Sequence, residues 1–275
     1  MNPADAFAHL MGRDDEEIEL DRAAFLFAAV EYPELDVEAG LRELDHLADL
    51  LQPRLGGLRG PQDVVQIVAS FLHGELGFSG NPDAYYDPRN SYLNEVLDRR
   101  LGIPISLSAL YLEIGRRLGL PFEGVGMPGH FLVRYRHATT PVLVDPFAGG
   151  AIVSEAECET RLQGLYGPGV QLRPSMLAAV GTRNVVFRML NNLKGIYASH
   201  GEWPRVVRTI DLMLAALPGA SSEYRDRGAA YLRTGDLRRA RADFEHYLLN
   251  AAEIADAASV REQLALVDRL EAMRN

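Results

Sequence analysis

The sequence predicts an α+β fold with helices at both ends and a small antiparallel sheet between them. Three observations predict it. Apolar residues recur at three- and four-residue steps through the N-terminal region, the spacing changes to two between residues 130 and 145, and a helical repeat of 34 residues lies beyond residue 178. We therefore expect two domains, residues 1–177 and residues 178–275.

Composition limits the classes of function. The chain has 275 residues, of which 47% are hydrophobic and 24% charged, as in ordinary globular proteins. Its net charge of −10 argues against broad nucleic-acid binding, and no apolar run approaches the ~20 residues that span a bilayer. One cysteine and the lack of a signal-peptide pattern fit a cytoplasmic protein. The histidines show no metal-ligand spacing, so we expect no metal. We also expect no cofactor and, from the charge and the lack of a long apolar run, no nucleic-acid or membrane partner. The oligomeric state is left open.

The helical patterns come first along the chain. Residues 4–80 place apolar side chains on one face at helical spacing. Asp87-Pro88 is a typical helix start and predicts a helix that continues to Arg100. A second helix is predicted over residues 105–118, before glycine and proline stop it.

The spacing of two marks residues 130–135 and 142–145, which their short linker can join only as a hairpin. Just before them, residues 124–129 (GVGMPG) match a dinucleotide-binding pattern. That pattern has to open a helix, whereas Pro128 and a strand follow here. A glycine-rich turn is the better interpretation.

His130 and Asp145 are polar residues in otherwise apolar surroundings, one on each predicted strand. If the hairpin register sets them opposite each other, both side chains emerge on one face at hydrogen-bond distance. A carboxylate that orients a histidine is the base-and-orienter half of a catalytic triad. The alternative is a core histidine satisfied by a carboxylate, and the spacing leaves both open.

The C-terminal region repeats itself. Tyr197 and Tyr231 are 34 residues apart. The second copy carries the small and aromatic residues of a tetratricopeptide repeat at Gly228, Tyr231, Gly235, Ala240 and Phe244. Small residues at positions 228 and 240 would let two antiparallel helices approach, and the aromatic residues would fill the seam between them.

Four motifs, in order, carry a family resemblance: residues 90–94 (NSYLN), 102–108 (GIPISLS), 128–131 (PGHF) and 144–147 (VDPF). They resemble the SirB-type transglutaminase-like family, a bacterial group that often carries C-terminal tetratricopeptide repeats. The resemblance covers about residues 20–270. It implies a transglutaminase-like (papain-like) core in which a helix carries the nucleophile and strands carry a histidine and an aspartate.

The resemblance implies the chain order Cys, His, Asp, with the cysteine at the N-terminus of the helix, where the helix dipole lowers a thiol pKa. His130 and Asp145 match the second and third positions. The first falls near residues 104–105, a proline and an isoleucine, which cannot attack a carbonyl. Ser106 could replace the thiol, although such serines commonly cap helices. Cys158 lies after both partners among acidic residues, and we expect it to be helical and inert.

Four further residues are candidates for a binding cleft beside His130: Asn90, Asn94, Tyr86 and Gly129. Two functional classes follow. The first is a non-catalytic or regulatory protein whose inherited cleft and repeat surface bind a protein or peptide partner. The second is a hydrolase or acyl-transferase that uses the His130 and Asp145 dyad with Ser106 or an activated water. Whether the protein is an enzyme is left undecided by the sequence.

Overall fold

The computed structural model describes residues 1–57, 60–250 and 256–273, and predictions for the remaining positions lie outside the described residues. Contacts divide the chain into two compact units, Met1–Met189 and Leu190–Asn275. The domain boundary predicted after residue 177 stays a prediction, because compact units and folding domains need not share a boundary. Among the described residues, no helix is long and apolar enough to cross a membrane.

The predicted helical N-terminal region is confirmed. The helices of the first unit are α1 (Pro3–Met11), α2 (Leu20–Glu31), α3 (Val37–Leu51), α4 (Pro61–Ala69), α5 (Leu93–Arg99), α6 (Pro104–Arg117) and α7 (Glu155–Tyr166), and α8 (Thr182–Ser199) begins in it. A π-helical segment, Ser70–Glu75, continues α4. The central helix is α6, which packs against α2, α3 and α5 and against strands of the sheet described next.

The sheet has five antiparallel strands. The residue spacing in the sequence predicts only two of them. The five strands are β3 (Phe122–Val125), β4 (Leu132–Tyr135), β5 (Val142–Asp145), β6 (Ala151–Val153) and β7 (Ala179–Val180), in the order β6-β5-β4-β3-β7. A separate parallel pair joins β1 (Ser79–Gly80) to β2 (Leu101–Gly102). The predicted hairpin is β4–β5. β6 and β7 have only three and two residues, too few for an alternating pattern to show.

Two sequence predictions need correction. The helix predicted from Asp87 to Arg100 is interrupted: Asp87 caps a 3-10 turn, Pro88–Asn90, and the α-helix begins only at Leu93. The strand predicted from residue 130 begins at Leu132. Before it, Gly129 adopts a positive φ of 71° and the N–H of His130 donates to the Met127 carbonyl, so the chain turns where a strand was expected.

The turn after Asp145 provides a matched test of packing. Gly149 and Gly150 both have positive φ, 69° and 76°. A Cβ at Gly149 would meet nothing within 4 Å, whereas one at Gly150 would lie 2.5 Å from the Tyr111 hydroxyl. Gly149→Ala should therefore cost about 1 kcal/mol of backbone strain alone. Gly150→Ala should lower the free energy of unfolding by about 2 to 4 kcal/mol. Urea unfolding checks this, and equal losses would contradict the close approach of Gly150 to Tyr111.

The second unit contains the remaining helices: α9 (Trp203–Ala216), α10 (Ser221–Thr234), α11 (Leu237–Asn250) and α12 (Ala257–Ala272). A Cβ at Gly228 would lie 2.8 Å from the Phe244 ring, so only glycine lets α10 and α11 approach this closely. Tyr231, Ala240, Phe244 and Tyr247 are buried in one cluster. The seam of small and aromatic residues predicted from the repeat is therefore present.

Candidate functional site

The structure brings His130 and Asp145 together: His130 Nε2 lies 3.0 Å from Asp145 Oδ1. The expected route is wrong, however. Val133 pairs with Val144 in the β4–β5 ladder, a register that does not set His130 opposite Asp145. His130 reaches the carboxylate from the turn that precedes β4. The contact therefore depends on the Gly129 turn and not on cross-strand pairing.

Asp145 ends β5 and has more partners than the sequence suggested. Its Oδ1 also accepts the backbone N–H groups of Phe147, at 3.1 Å, and Ala148, at 3.3 Å, and so caps the 3-10 turn Pro146–Ala148. Its Oδ2 accepts from Arg161 Nη1 at 2.7 Å. Arg161, on α7, was missed by the sequence analysis. No local pattern identifies it, because its role depends on α7 docking beside the end of β5.

These partners decide the charge of the site. Asp145 is fully buried, and burial alone would raise the pKa of its carboxyl group. Hydrogen bonds from His130 and Arg161, together with the positive charge of Arg161, outweigh burial and hold that pKa below its ordinary value. The ionised carboxylate faces Nε2, which therefore carries a proton in the imidazole. Within the described part of the chain, Nδ1 has no hydrogen-bond partner and is free to act as an acceptor.

Ser106 is not available as the nucleophile suggested by the sequence. Its hydroxyl is fully buried, accepts the N–H of Ile103 at 3.0 Å and donates to the Asn90 carbonyl at 2.6 Å. No hydrogen bond joins Ser106 to His130 among the described residues. The hydroxyl is used to cap the start of α6, which is the structural role that such serines commonly have.

Cys158 is helical, as the sequence predicts, and it is buried. From α7 it packs on Val125, Met127 and Leu132. Burial is the main cause that raises the pKa of its thiol, ahead of the neighbouring acids that the sequence analysis named. The cavity beside it measures about 20 Å³, room for about one water molecule. Cys158 therefore cannot replace a nucleophile at the start of α6.

Of the two asparagines predicted to line the cleft, Asn90 does not form its surface, and for half-buried Asn94 the role stays a prediction. Asn90 is fully buried, and its Nδ2 donates to the Ala84 carbonyl at 2.7 Å while its Oδ1 accepts from Asn81 at 3.2 Å. It holds the loop that carries Tyr85 and does not touch solvent. Asn94 Oδ1 is buried, without a hydrogen-bond partner in the described residues.

Exposed and half-buried side chains near the dyad form an aromatic rim, which we define as Tyr85, Tyr86, Phe147 and Tyr166. Ring centroids are separated by 5.3 Å between Tyr85 and Tyr86, by 5.9 Å between Tyr85 and Phe147, and by 6.4 Å between Phe147 and His130. Tyr86 is 68% exposed and Tyr166 56%. A Cβ at Gly129 would lie 3.5 Å from the Tyr166 hydroxyl. Gly129 precedes His130 in the chain, and Tyr86 is linked to His130 through Tyr85 and Phe147; a cleft formed by them stays a prediction.

Two larger depressions of the first unit involve neither His130 nor Asp145. One, of about 390 Å³, is lined by residues of β4, β5 and β6 that include Arg134 and Leu143. Another, of about 690 Å³, is open and borders His73 and Gly150. In the described residues, no group of three or more His, Cys, Asp or Glu side chains could hold a metal ion.

Comparisons with known proteins agree with this fold and these motifs. Residues 38–191 match the family model of the transglutaminase-like superfamily, and residues 193–265 match that of the tetratricopeptide repeat. The chain therefore belongs to the transglutaminase-like superfamily and carries a tetratricopeptide-repeat region after that domain.

Its relatives place the chain among the UPF0162 proteins. A UPF0162 protein of Xylella fastidiosa (strain 9a5c) is 39% identical over 245 residues, which cover 86% of this chain and 85% of the relative. A UPF0162 protein of Vibrio cholerae is 31% identical over 241 residues, which cover 87% of this chain and 89% of the relative. Human F-box only protein 21 is 35% identical over 54% of this chain and 24% of its own length. A crystal structure of menin matches 90% of the chain and 69% of the menin chain, with 13% identity and a TM-score of 0.43.

Proposed function

We propose that this protein is a non-catalytic, protein- or peptide-binding member of its superfamily, with the cleft beside His130 as the binding site. The observation that carries the proposal is the start of α6, where Pro104 and Ile105 are buried at the position that the family resemblance gives to a thiol. A chain without a nucleophile there loses covalent catalysis. Tetratricopeptide repeats generally mediate protein–protein interaction, which supports a partner that is itself a protein.

The contacts of Asp145 support the same proposal. In a base-and-orienter pair, the carboxylate stabilises the imidazolium that forms during the reaction. Here Arg161 already balances the Asp145 charge at 2.7 Å, so less of that charge is left to stabilise a protonated His130. A histidine held in one orientation with Nδ1 free suits a fixed hydrogen-bond acceptor for the backbone N–H of a bound peptide.

A second candidate is a hydrolase or acyl-transferase. The observation that favours it is the 3.0 Å contact between His130 and Asp145, which is the geometry a general base requires. Because Ser106 and Cys158 are both buried, this candidate needs a water molecule activated by His130 Nδ1. The two candidates predict different results in one experiment.

The experiment incubates the full-length protein with a synthetic peptide library and, separately, with a fluorophosphonate probe and an activated ester. We expect sequence-selective peptide binding without labelling or turnover. Tyr86→Ala should weaken the selected peptides about tenfold, because exposed aromatic residues commonly anchor interfaces. His130→Ala should also weaken them.

His137→Ala is the matched control, because His137 is an exposed histidine in the β4–β5 loop and should leave peptide binding unchanged. Steady ester turnover, or fluorophosphonate labelling, that is lost in His130→Ala would establish the hydrolase and reject the binding-only proposal. A protein that selects no peptide and turns over no ester would reject both candidates.

A further inference from the structure

Arg188, on α8, extends a half-buried guanidinium to the turn that carries His130. Its Nη2 donates to the backbone carbonyls of Met127, at 3.0 Å, and His130, at 2.8 Å. Its Cζ lies over the Phe131 ring, 5.3 Å from the centroid. These contacts fix the position of the guanidinium beside the dyad without supplying negative charge.

Arg188 differs from the other arginines of comparable burial. Arg117 pairs with Asp21 at 2.6 Å, and Arg227 pairs with Asp243 at 2.8 Å. In the part of the chain that the structure describes, no carboxylate lies within ion-pair distance of Arg188, and its Nη1 has no hydrogen-bond acceptor. Its charge is therefore held in place and left uncompensated, which costs free energy in a partly buried position.

The described residues immediately around Arg188 carry no negative charge. A Cβ at Gly126 would lie 2.8 Å from Nη1, so the glycine there allows the guanidinium its position. The titratable groups that act on Arg188 are the phenols of Tyr85 and Tyr166, two members of the aromatic rim. Phenols are uncharged near neutral pH, so they do not neutralise the cation. The rim and the cation therefore belong to one surface.

We propose that Arg188 is the docking point for a carboxylate of the bound peptide, either an Asp or Glu side chain or a free C-terminus. The inference rests on the proposed function and names the chemistry of the partner at the same cleft. A carboxylate oxygen can accept the unused N–H groups of Nη1 and also supply the missing charge. The net charge of the whole chain is −10, which does not favour an anionic ligand. The attraction of the peptide carboxylate is therefore local to Arg188.

The test selects peptides from two synthetic libraries, one with free C-termini and one with amidated C-termini, on the full-length protein. We expect the selected peptides to carry a carboxylate at one fixed position. Neutralising that group, by Glu→Gln or by amidation, should weaken binding to the wild type by about tenfold to a hundredfold, as for other charge-assisted hydrogen bonds. The library that yields the binders distinguishes the side chain from the C-terminus.

The protein-side variants assign the effect to Arg188. In Arg188→Gln the acid and its neutral counterpart should bind equally. Arg136→Gln, which removes an exposed arginine that follows β4, is the matched control and should keep the full discrimination. Gly126→Ala, whose added methyl group would displace Nη1, should reduce the discrimination and gives a second reading if Arg188→Gln fails to fold.

The outcomes separate this inference from the proposed function. Selected peptides that depend on Tyr86 but bind equally well with and without their carboxylate would overturn the role of Arg188 and leave the binding cleft standing. A discrimination that persists in both Arg188→Gln and Gly126→Ala would also overturn it. Failure to select any peptide would overturn the inference together with the proposed function.

Discussion

Asp145→Ala is expected to lower the free energy of unfolding of the first unit by about 3 kcal/mol, because it removes a fully buried acceptor and leaves several donors without a partner. The substitution leaves Arg161 without its acid and removes the acceptor of two backbone N–H groups at the start of the Pro146–Ala148 turn. Pulsed labelling of Cys158 during urea unfolding measures the effect, because this single thiol is buried in the same unit.

Asp87→Ala is the matched control. Asp87 also precedes a proline, caps a 3-10 turn and pairs with Arg89 and Arg99, but its side chain is 15% exposed whereas that of Asp145 is fully buried. Its loss should cost about 1 kcal/mol, as for an ordinary cap. Similar losses for the two variants would show that Asp145 is only a turn cap and that its bonds to His130 and Arg161 add little.

The stability of the first unit should fall as the pH rises from about 4.5 to 7. Glu113, on α6, is buried, and burial together with the negative charge of Asp21 raises its pKa from the usual 4.5 to about 7, against the opposing effect of Arg116. In that window the folded protein binds a proton that the unfolded chain has released. The loss should be about 3 kcal/mol at most.

Urea unfolding of wild type and Glu113→Gln at several pH values tests this. The variant cannot ionise, so its stability should change less between pH 4.5 and 7. Asp21 has a lowered pKa, because the bond to Arg117 outweighs burial, and its contribution is lost only at pH values below this window. Glu123→Gln, which removes the partner of Arg134 in the sheet, is the control and should keep the slope of the wild type. Parallel curves for wild type and Glu113→Gln would contradict the raised pKa.

The sequence predicts those parts of the fold that local patterns encode. Helical spacing identifies the N-terminal helices, alternation identifies the β4–β5 hairpin, and the 34-residue period identifies the seam at Gly228 and Phe244. The asparagine at position 90 shows the limit. The sequence analysis names it as a cleft candidate, whereas its side chain points inward and donates to the Ala84 carbonyl, which no local pattern could reveal.

The site shows the same division. The polar character of His130 and Asp145 in an apolar segment was enough to propose their contact. Arg161 and Arg188 were missed because each reaches the dyad from a helix later in the chain, and the docking of those helices is set by tertiary packing. The sequence left the role of Ser106 open, because a first-turn serine has the same sequence signature whether its hydroxyl faces a cleft or caps the helix.

The buried Asn90 has a mechanical consequence. Its side-chain amide donates to the carbonyls of Ala84 and Tyr85 in the loop that carries Tyr86. Its main-chain carbonyl accepts a hydrogen bond from the Ser106 hydroxyl at the start of α6. One residue thus ties the tyrosine loop to the central helix, so the two are expected to move as a single body. An incoming chain would meet a preorganised receptor, and the entropy lost on association would fall mainly on the partner.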